Sequence, residues 1–149
     1  MDSVCHFVYL CSCLPSWLQQ YTPQVNTSKH CVSELYKGDF DKLNDENYVY
    51  EVLVQAAEEA NATLLDVRTH KFDPQGVTGF ALLAESHIAI HTWPELNYAA
   101  VDVFTCGDKT NPELACIFLA NAFSAESQHI GFVERHVPFA KETLLVAIN

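Results

Sequence analysis

The 149-residue chain carries 19 acidic and 8 basic residues, for a net charge of −11, and 49% of its residues are hydrophobic. A chain of this length is most economically one domain, which buries about two thirds of the surface its unfolded form exposes and needs no disulfide scaffold. The strong negative charge argues against two classes of partner, nucleic acid and anionic membrane surfaces.

Residues 1–29 are predicted to be an N-terminal extension of unknown role, ahead of a single domain over residues 30–149. The apolar stretch from Val4 to Leu18 has no basic start and is too short to span a bilayer, so we expect neither a signal peptide nor a membrane anchor. Three of the six cysteines lie in the first 13 residues without the spacing of a zinc site, and no metal site is predicted. The cysteine pattern favours a reducing, cytoplasmic location.

Strand alternation, helical spacing and capping residues predict six strands and two helices in the domain. In chain order these are a strand over His30–Tyr36, a helix capped by Asn44 or Asp45 and ending near Asn61, strands over Leu64–Phe72, Val77–Ala84, His87–Trp93 and Tyr98–Cys106, a helix from Pro112 to about Phe123, and a closing strand over Gln128–Val137.

Strands outnumber helices and follow one another through short turns, which predicts the α+β class: a two-layer sandwich of a mainly antiparallel sheet with helices on one face. The order strand, helix, two strands recurs about twice and hints at an internal duplication. In the strand that follows Ser86, period 2 places His87, His91 and Trp93 on one face and Ile88 and Ile90 on the other.

The run from Glu85 to Glu95 concentrates the chemistry, because a serine follows a carboxylate and precedes two histidines on one strand face. In a hydrolase, Ser86 would be the nucleophile, His87 or His91 its base and Asp102 the orienting acid, but the sequence has no GxSxG elbow. In a thiol enzyme, Cys106 would be the nucleophile and His91 its base.

A third interpretation makes the chain its own substrate. The Ser86 hydroxyl attacks the Glu85 carbonyl and converts the amide into an ester, and elimination across the Ser86 α and β carbons then cleaves the chain. The dehydroalanine that remains tautomerises and loses ammonia to water, which leaves a pyruvoyl group at the new amino terminus. Positioning can supply roughly 7 to 11 kcal/mol to such a step, whereas about 12° of peptide twist is worth only about 1 kcal/mol.

Three segments, His70–Gly79, Glu85–Glu95 and Tyr98–Gly107, resemble the prokaryotic-type S-adenosylmethionine decarboxylases, which are pyruvoyl enzymes that mature by this self-cleavage. The resemblance covers roughly residues 30–135. It implies cleavage between Glu85 and Ser86 into a β chain of residues 1–85 and an α chain of residues 86–149. The pyruvoyl cofactor then derives from Ser86 and forms a Schiff base with the substrate.

The resemblance also implies roles for individual side chains. His91 matches the processing base that removes the α proton, and Cys106 matches the proton donor in decarboxylation. Thr78 stands where the family usually has serine, in a role that assists the acyl shift. Phe72 and His91 match the pair that sandwiches the adenine of the substrate, and Glu95 matches the carboxylate that holds the ribose hydroxyls.

Neither His87 nor Asp102 is given a catalytic role. His87 shares the face of His91 and is assigned to packing or orientation, and Asp102 is assigned a structural role. The sequence also departs from the family pattern at Gly38, where a cysteine is common, and at Glu134-Arg135-His136, where Glu-Arg-Gly is usual.

Three functional hypotheses follow. The first is an S-adenosylmethionine decarboxylase that makes the aminopropyl donor for spermidine, as a homodimer with active sites at the interface. The second is a homologous ornithine or arginine decarboxylase, and Phe72 and Glu95 argue against it because neither amino acid has an adenine or a ribose. The third is an unprocessed regulatory or binding subunit, which would need neither the intact Glu85-Ser86 pair nor Cys106.

Overall fold

The computed structural model describes residues 27–136, except for the side chains of Thr27, Glu134 and His136. The predictions for residues 1–26 and 137–149 lie outside this described range. In chain order the elements are β1 (Thr27–Tyr36), α1 (Phe40–Leu43), α2 (Glu46–Glu59), β2 (Leu64–Lys71), β3 (Val77–Leu83), β4 (Ser86–Trp93), a 3₁₀ turn (Pro94–Leu96), β5 (Tyr98–Cys106), α3 (Pro112–Ala122) and β6 (Ser127–His136).

All six strands form one sheet in the order β2-β3-β4-β5-β1-β6, and every neighbouring pair is antiparallel. The helices α2 and α3 pack on one face of this sheet. The predicted α+β two-layer sandwich is therefore confirmed. The internal duplication stays a prediction: β1, α2, β2 and β3 follow the proposed order, and β5, α3 and β6 repeat its first three elements within residues 27–136.

Strand alternation decides which side chains enter the core. In β4, Ile88 and Ile90 are fully buried beneath the helices, whereas His91 and Trp93 are exposed on the other face. The helix α2 contributes a stripe at the predicted spacing, and its buried members are Val49, Val52, Leu53, Ala56 and Ala57. The polar residues of β4 therefore line a sheet face that none of the described helices covers.

The two long helices begin at side-chain caps. The Asp45 carboxylate accepts hydrogen bonds from the backbone N–H groups of Asn47 and Tyr48 at 2.9 and 3.1 Å. Asn111 caps α3 in the same way, with Pro112 at the first helical position. Asp45 is thus the cap, and Asn44 instead accepts a hydrogen bond from the Gly76 N–H at 3.1 Å, which ties the β2–β3 turn to the end of α1.

Three local features differ from the sequence-based expectation. β1 begins at Thr27, three residues before the predicted start, because it pairs with β6 from Thr27 and with β5 from Ser28. The short helix Phe40–Leu43 and the 3₁₀ turn Pro94–Leu96 were not predicted. Elements of three or four residues are too short to show a hydrophobic period. Within residues 27–136, no helix has the length and apolarity that crossing a membrane requires.

We expect Gly79→Ala to destabilise the fold by about 1–3 kcal/mol. A Cβ atom at Gly79 would lie 2.6 Å from Leu53 Cδ1 and 3.2 Å from Ile90 Cγ2, so either the buried Leu53 side chain or α2 would have to move. Urea unfolding of the variant in a Ser86→Ala background, which keeps the chain in one piece, measures the difference. An unchanged free energy of unfolding would mean that Leu53 repacks without cost.

Candidate active site

The Glu85-Ser86 peptide bond lies in a tight hairpin between β3 and β4. Only Ala84 and Glu85 separate the two strands, and Leu83 pairs with Ser86. Ser86 has a φ of 156°, a positive value that non-glycine residues rarely adopt. Backbone in such a region stores of order 1–3 kcal/mol of strain when its surroundings hold it there.

Glu85 is held through both its main chain and its side chain. Its carbonyl oxygen accepts a hydrogen bond from the Cys106 N–H at 3.1 Å. Its carboxylate accepts from the N–H and the hydroxyl of Thr63 at 2.9 and 3.0 Å, and the N–H bond is the main cause that lowers the pKa of Glu85. The Cys106 N–H is therefore in place to stabilise negative charge that develops on the Glu85 carbonyl oxygen.

The hydroxyl of Ser86 lies 3.2 Å from Nδ1 of His87. Sequence reasoning missed this contact, since neighbouring strand residues normally point to opposite faces. Ser86 is the first residue of β4, and its unusual φ coincides with this break in the alternation of side chains. No residue pattern in the sequence marks this conformation, so only the structure could reveal the contact.

Cys106, the last residue of β5, lies at the same end of the sheet as Glu85 and Ser86. It is partly buried, and its thiol lies 3.5 Å from the hydroxyl of Ser28 on β1. Ser86 pairs with Thr105, the neighbour of Cys106 on the adjacent strand. The structure thus brings together Glu85, Ser86 and Cys106, and we refer to these three residues with His87 as the cleavage cluster.

Four other residues with predicted roles gather near the opposite end of β4. The substrate cluster, as we call it, consists of Phe72, Thr78, His91 and Glu95. Thr78 and His91 are directly opposite on β3 and β4, and their Oγ1 and Nδ1 atoms are 2.9 Å apart. Glu95 lies in the 3₁₀ turn, and its Oε2 accepts a hydrogen bond from the Gln75 amide at 3.0 Å.

The substrate cluster borders a cavity of about 390 Å³, which is in the range of small-molecule sites. The ring of Phe72 is 48% exposed and meets His70 edge-on, with centroids 4.7 Å apart. The residues that line the cavity are Phe72, Gln75, Gly76, Thr78, His91, Thr92, Trp93 and Glu95. An aromatic face, a hydroxyl, an imidazole and a carboxylate therefore converge on one space.

The cleavage cluster and the substrate cluster do not meet within one protomer. Ser86 and His91 are five residues apart on the same strand, which at about 3.3 Å per residue separates them by about 17 Å. The His91 ring therefore cannot reach the Ser86 α proton of its own chain. The chain thus carries the two groups of residues near opposite ends of β4.

The same geometry weakens the two conventional nucleophile hypotheses. Asp102 contacts His30 at 3.2 Å, so the orienting acid of the hydrolase interpretation serves a different histidine. His91 pairs with Ala100, six residues from Cys106 on β5, so the proposed thiol and its base are about 20 Å apart in one protomer. Neither a Ser86–His87–Asp102 triad nor a Cys106–His91 pair is formed in the protomer.

The family model described as S-adenosylmethionine decarboxylase matches residues 29–136. A protein of Prochlorococcus marinus (strain MIT 9313) named S-adenosylmethionine decarboxylase proenzyme is 55% identical over 115 residues, which are 77% of this chain and 92% of that protein. The chain belongs to the S-adenosylmethionine decarboxylase family. This membership confirms the resemblance found in the sequence and the predicted enzyme class, a decarboxylase.

The similarity includes a further named relative and a solved structure. A proenzyme of the same name from Moorella thermoacetica (strain ATCC 39073 / JCM 9320) is 51% identical over 73% of this chain and 87% of its own. The crystal structure of the adenosylmethionine decarboxylase from Aquifex aeolicus VF5 has a TM-score of 0.71 and 34% identity, and covers 79% of this chain and 98% of that one. The fold described above is therefore a fold of this family.

Proposed function

We propose that the protein is an S-adenosylmethionine decarboxylase made as a proenzyme, which cleaves itself between Glu85 and Ser86. The observation that carries the proposal is the hydrogen bond from the Cys106 N–H to the Glu85 carbonyl oxygen, beside the hydroxyl of Ser86. Relatives that share about half of the sequence are named proenzymes of this decarboxylase, which supports the same maturation here.

The residues of the cleavage cluster fit the formation of a pyruvoyl group from Ser86. Cleavage leaves Glu85 as the end of the β chain (1–85), still held by Thr63, and residue 86 as the start of the α chain (86–149). The pyruvoyl group, once joined to the substrate amine, would supply a conjugated amide carbonyl as the acceptor for the electrons released when carbon dioxide leaves. Cys106 then donates the proton that the substrate carbon requires, and a thiol in this role needs a reducing setting such as the cytosol.

The substrate cluster supports S-adenosylmethionine over a small amino acid. The exposed face of Phe72 can stack on adenine, with His91 on the other side of the base. The Glu95 carboxylate, oriented by Gln75, can accept hydrogen bonds from both ribose hydroxyls. Ornithine and arginine would leave these groups unused, so the homologous ornithine or arginine decarboxylase remains the second candidate.

The distance between the two clusters supports a homodimer. A single protomer separates Ser86 from His91 by about 17 Å, so an active site that uses both requires the cleavage cluster of one protomer and the substrate cluster of its partner. The open sheet face that carries both clusters also exposes large apolar side chains. These include Tyr36, Phe80, Leu82 and Trp93, each 39–44% exposed. Burial of this face against a second copy would complete two sites related by a twofold axis.

Intact mass of freshly purified protein tests the proposal. We expect two fragments, residues 1–85 with a free carboxyl end and residues 86–149 with a ketone in place of the amino terminus. A 149-residue species that never splits would contradict the enzyme assignment and would favour the unprocessed binding subunit.

Release of carbon dioxide identifies the substrate. The cleaved protein should release it from S-adenosylmethionine and not from ornithine or arginine. Glu95→Gln should raise the KM for S-adenosylmethionine more than it lowers kcat, since a neutral amide accepts ribose hydrogen bonds less strongly than a carboxylate. Release from ornithine or arginine at a higher rate would favour the second candidate, in which the product is not the aminopropyl donor for spermidine.

A further inference from the structure

The histidine in contact with the Ser86 hydroxyl is His87, to which the family resemblance gives no role in self-cleavage. Its Nδ1 is 3.2 Å from the Ser86 hydroxyl oxygen, within hydrogen-bonding distance of the atom that must lose a proton. His91 of the same chain is about 17 Å from that oxygen. The two histidines of the motif therefore have separate positions, and only His87 is adjacent to the hydroxyl in its own protomer.

The His87 ring is fixed by two aromatic neighbours on the open face of the sheet. Phe80 on β3 stacks against it with centroids 5.4 Å apart and an interplanar angle of 20°. Phe104 on β5 meets it edge-on at 5.9 Å and 62°. A ring held on two sides keeps Nδ1 aimed at Ser86 without the entropy cost of a mobile side chain.

The surroundings of His87 keep its imidazole neutral. Burial is the main cause that lowers the pKa of His87, and the charges of His30 on β1 and Arg135 on β6 lower it further. Asp102 on β5 acts in the opposite direction. A neutral imidazole has one ring nitrogen free to accept a proton.

We propose that His87 is the general base of the N-to-O acyl shift, the first step of self-cleavage; this inference rests on the proposed function. Nδ1 of His87 takes the hydroxyl proton as the Ser86 Oγ bonds to the Glu85 carbonyl carbon. The π electrons of the carbonyl move to its oxygen, which the Cys106 N–H holds. As the C–N bond breaks, the imidazolium returns the proton to the leaving nitrogen of Ser86, which yields the ester and a free amine.

Under this assignment His87 and His91 act in different steps of self-cleavage. His87 of one protomer forms the ester, and His91 of the partner subunit removes the α proton that drives ester elimination. Each histidine then acts on an atom within its reach once two protomers face each other. The division predicts that loss of either histidine stops maturation at a different intermediate.

Hydroxylamine distinguishes these intermediates, because it cuts esters far faster than amides. In a His91→Ala protein the ester should accumulate, and hydroxylamine should cut the chain after Glu85. In His87→Phe/His91→Ala the ester should form about 100-fold more slowly, since a general base contributes of order 10²–10⁴. Phenylalanine keeps the ring that stacks on Phe80 but has no proton acceptor.

His129→Phe in the same His91→Ala background is the matched control. His129 is exposed on the edge strand β6, three strands from β4, and the control should be cut like the parent. Equal cutting rates, within about twofold, for His87→Phe and its parent would overturn the inference while leaving the proposed function in place. If neither the wild type nor His91→Ala were cut under any condition, the proposed function itself would fail.

A second variant covers the case in which phenylalanine disturbs the hairpin. His87→Asn retains a hydrogen-bond acceptor near the position of Nδ1 but is not basic, so we expect the same slow ester formation with an unchanged melting temperature. The pH profile gives an independent readout. Ester formation in the parent should be constant near neutrality and fall below the lowered pKa of His87, and this acid limb should be absent from both His87 variants. An acid limb that persists in both would overturn the assignment.

Discussion

Ser86→Ala and His91→Ala chains, each inactive in cleavage alone, are expected to restore cleavage when they are assembled together. The Ser86→Ala chain has no hydroxyl to attack Glu85 and should remain a 149-residue species. The His91→Ala chain should stop at the ester, because no base is present at its sites to remove the α proton. Either variant alone should therefore show no pyruvoyl fragment.

The mixed dimer restores one complete site. Its cleavage cluster comes from the His91→Ala chain, which has an intact Ser86, and its substrate cluster comes from the Ser86→Ala chain, which has an intact His91. The separation of the clusters by about 17 Å within one protomer makes this exchange necessary. With random pairing of equal amounts, about half of the His91→Ala chains should be cleaved, and none of the Ser86→Ala chains.

Co-expression of the two chains with different affinity tags, followed by intact mass of each chain, measures the outcome. A Ser86→Ala/His91→Ala double variant in place of Ser86→Ala is the control, because it offers its partner no imidazole and should restore nothing. Efficient cleavage of His91→Ala by itself would remove His91 from the processing step. Dimers that form and remain uncleaved in the mixture would contradict the shared site.

Cys106→Ala is expected to separate maturation from catalysis. The contact that Cys106 makes with the Glu85 carbonyl uses its backbone N–H, which alanine retains. Self-cleavage should therefore still occur. Decarboxylation should fall by about 10²–10⁴, the contribution of a general acid, because the side chain that donates the proton is gone.

The chemical state of the pyruvoyl group after turnover gives a second measurement. Without a donor at the substrate carbon, more of the protons should reach the pyruvoyl carbon, and the amino terminus of the α chain would become alanine by transamination. Mass spectrometry of the α chain during turnover should show this conversion faster in Cys106→Ala than in the wild type. Cys106→Ser serves as the comparison, since it keeps a hydrogen-bond partner for Ser28 but is a weaker acid than a thiol. Wild-type turnover in both variants would remove Cys106 from this role.

Periodicity was sufficient to predict the layers of the fold. Side chains alternate along a strand and recur every three to four residues on a helix. Period 2 places Ile88 and Ile90 on one face of the strand and His91 on the other, and this division is confirmed, since both isoleucines are buried and His91 is exposed. The motif residues around Ser86 were likewise sufficient to identify the family, since their types and spacings are a local property of the chain.

The order of residues alone could not predict contacts between segments that are far apart in the chain. Thr63 lies 22 residues from the carboxylate of Glu85 that it holds, and the Cys106 N–H reaches the Glu85 carbonyl from the end of the adjacent strand β5. The contact between Ser86 and His87 depends on a rare backbone conformation that any residue pattern would disfavour. Strand pairing and turn geometry decide these distances.

The sequence by itself determines that the motif holds both Ser86 and His91, with Ser86 directly before the predicted strand and His91 within it. The extended geometry of that strand keeps them about 17 Å apart, because each residue advances the chain by about 3.3 Å. Among residues 27–136 the imidazole in contact with the Ser86 hydroxyl is therefore that of His87, and a role for His91 in cleavage requires a second copy of the chain.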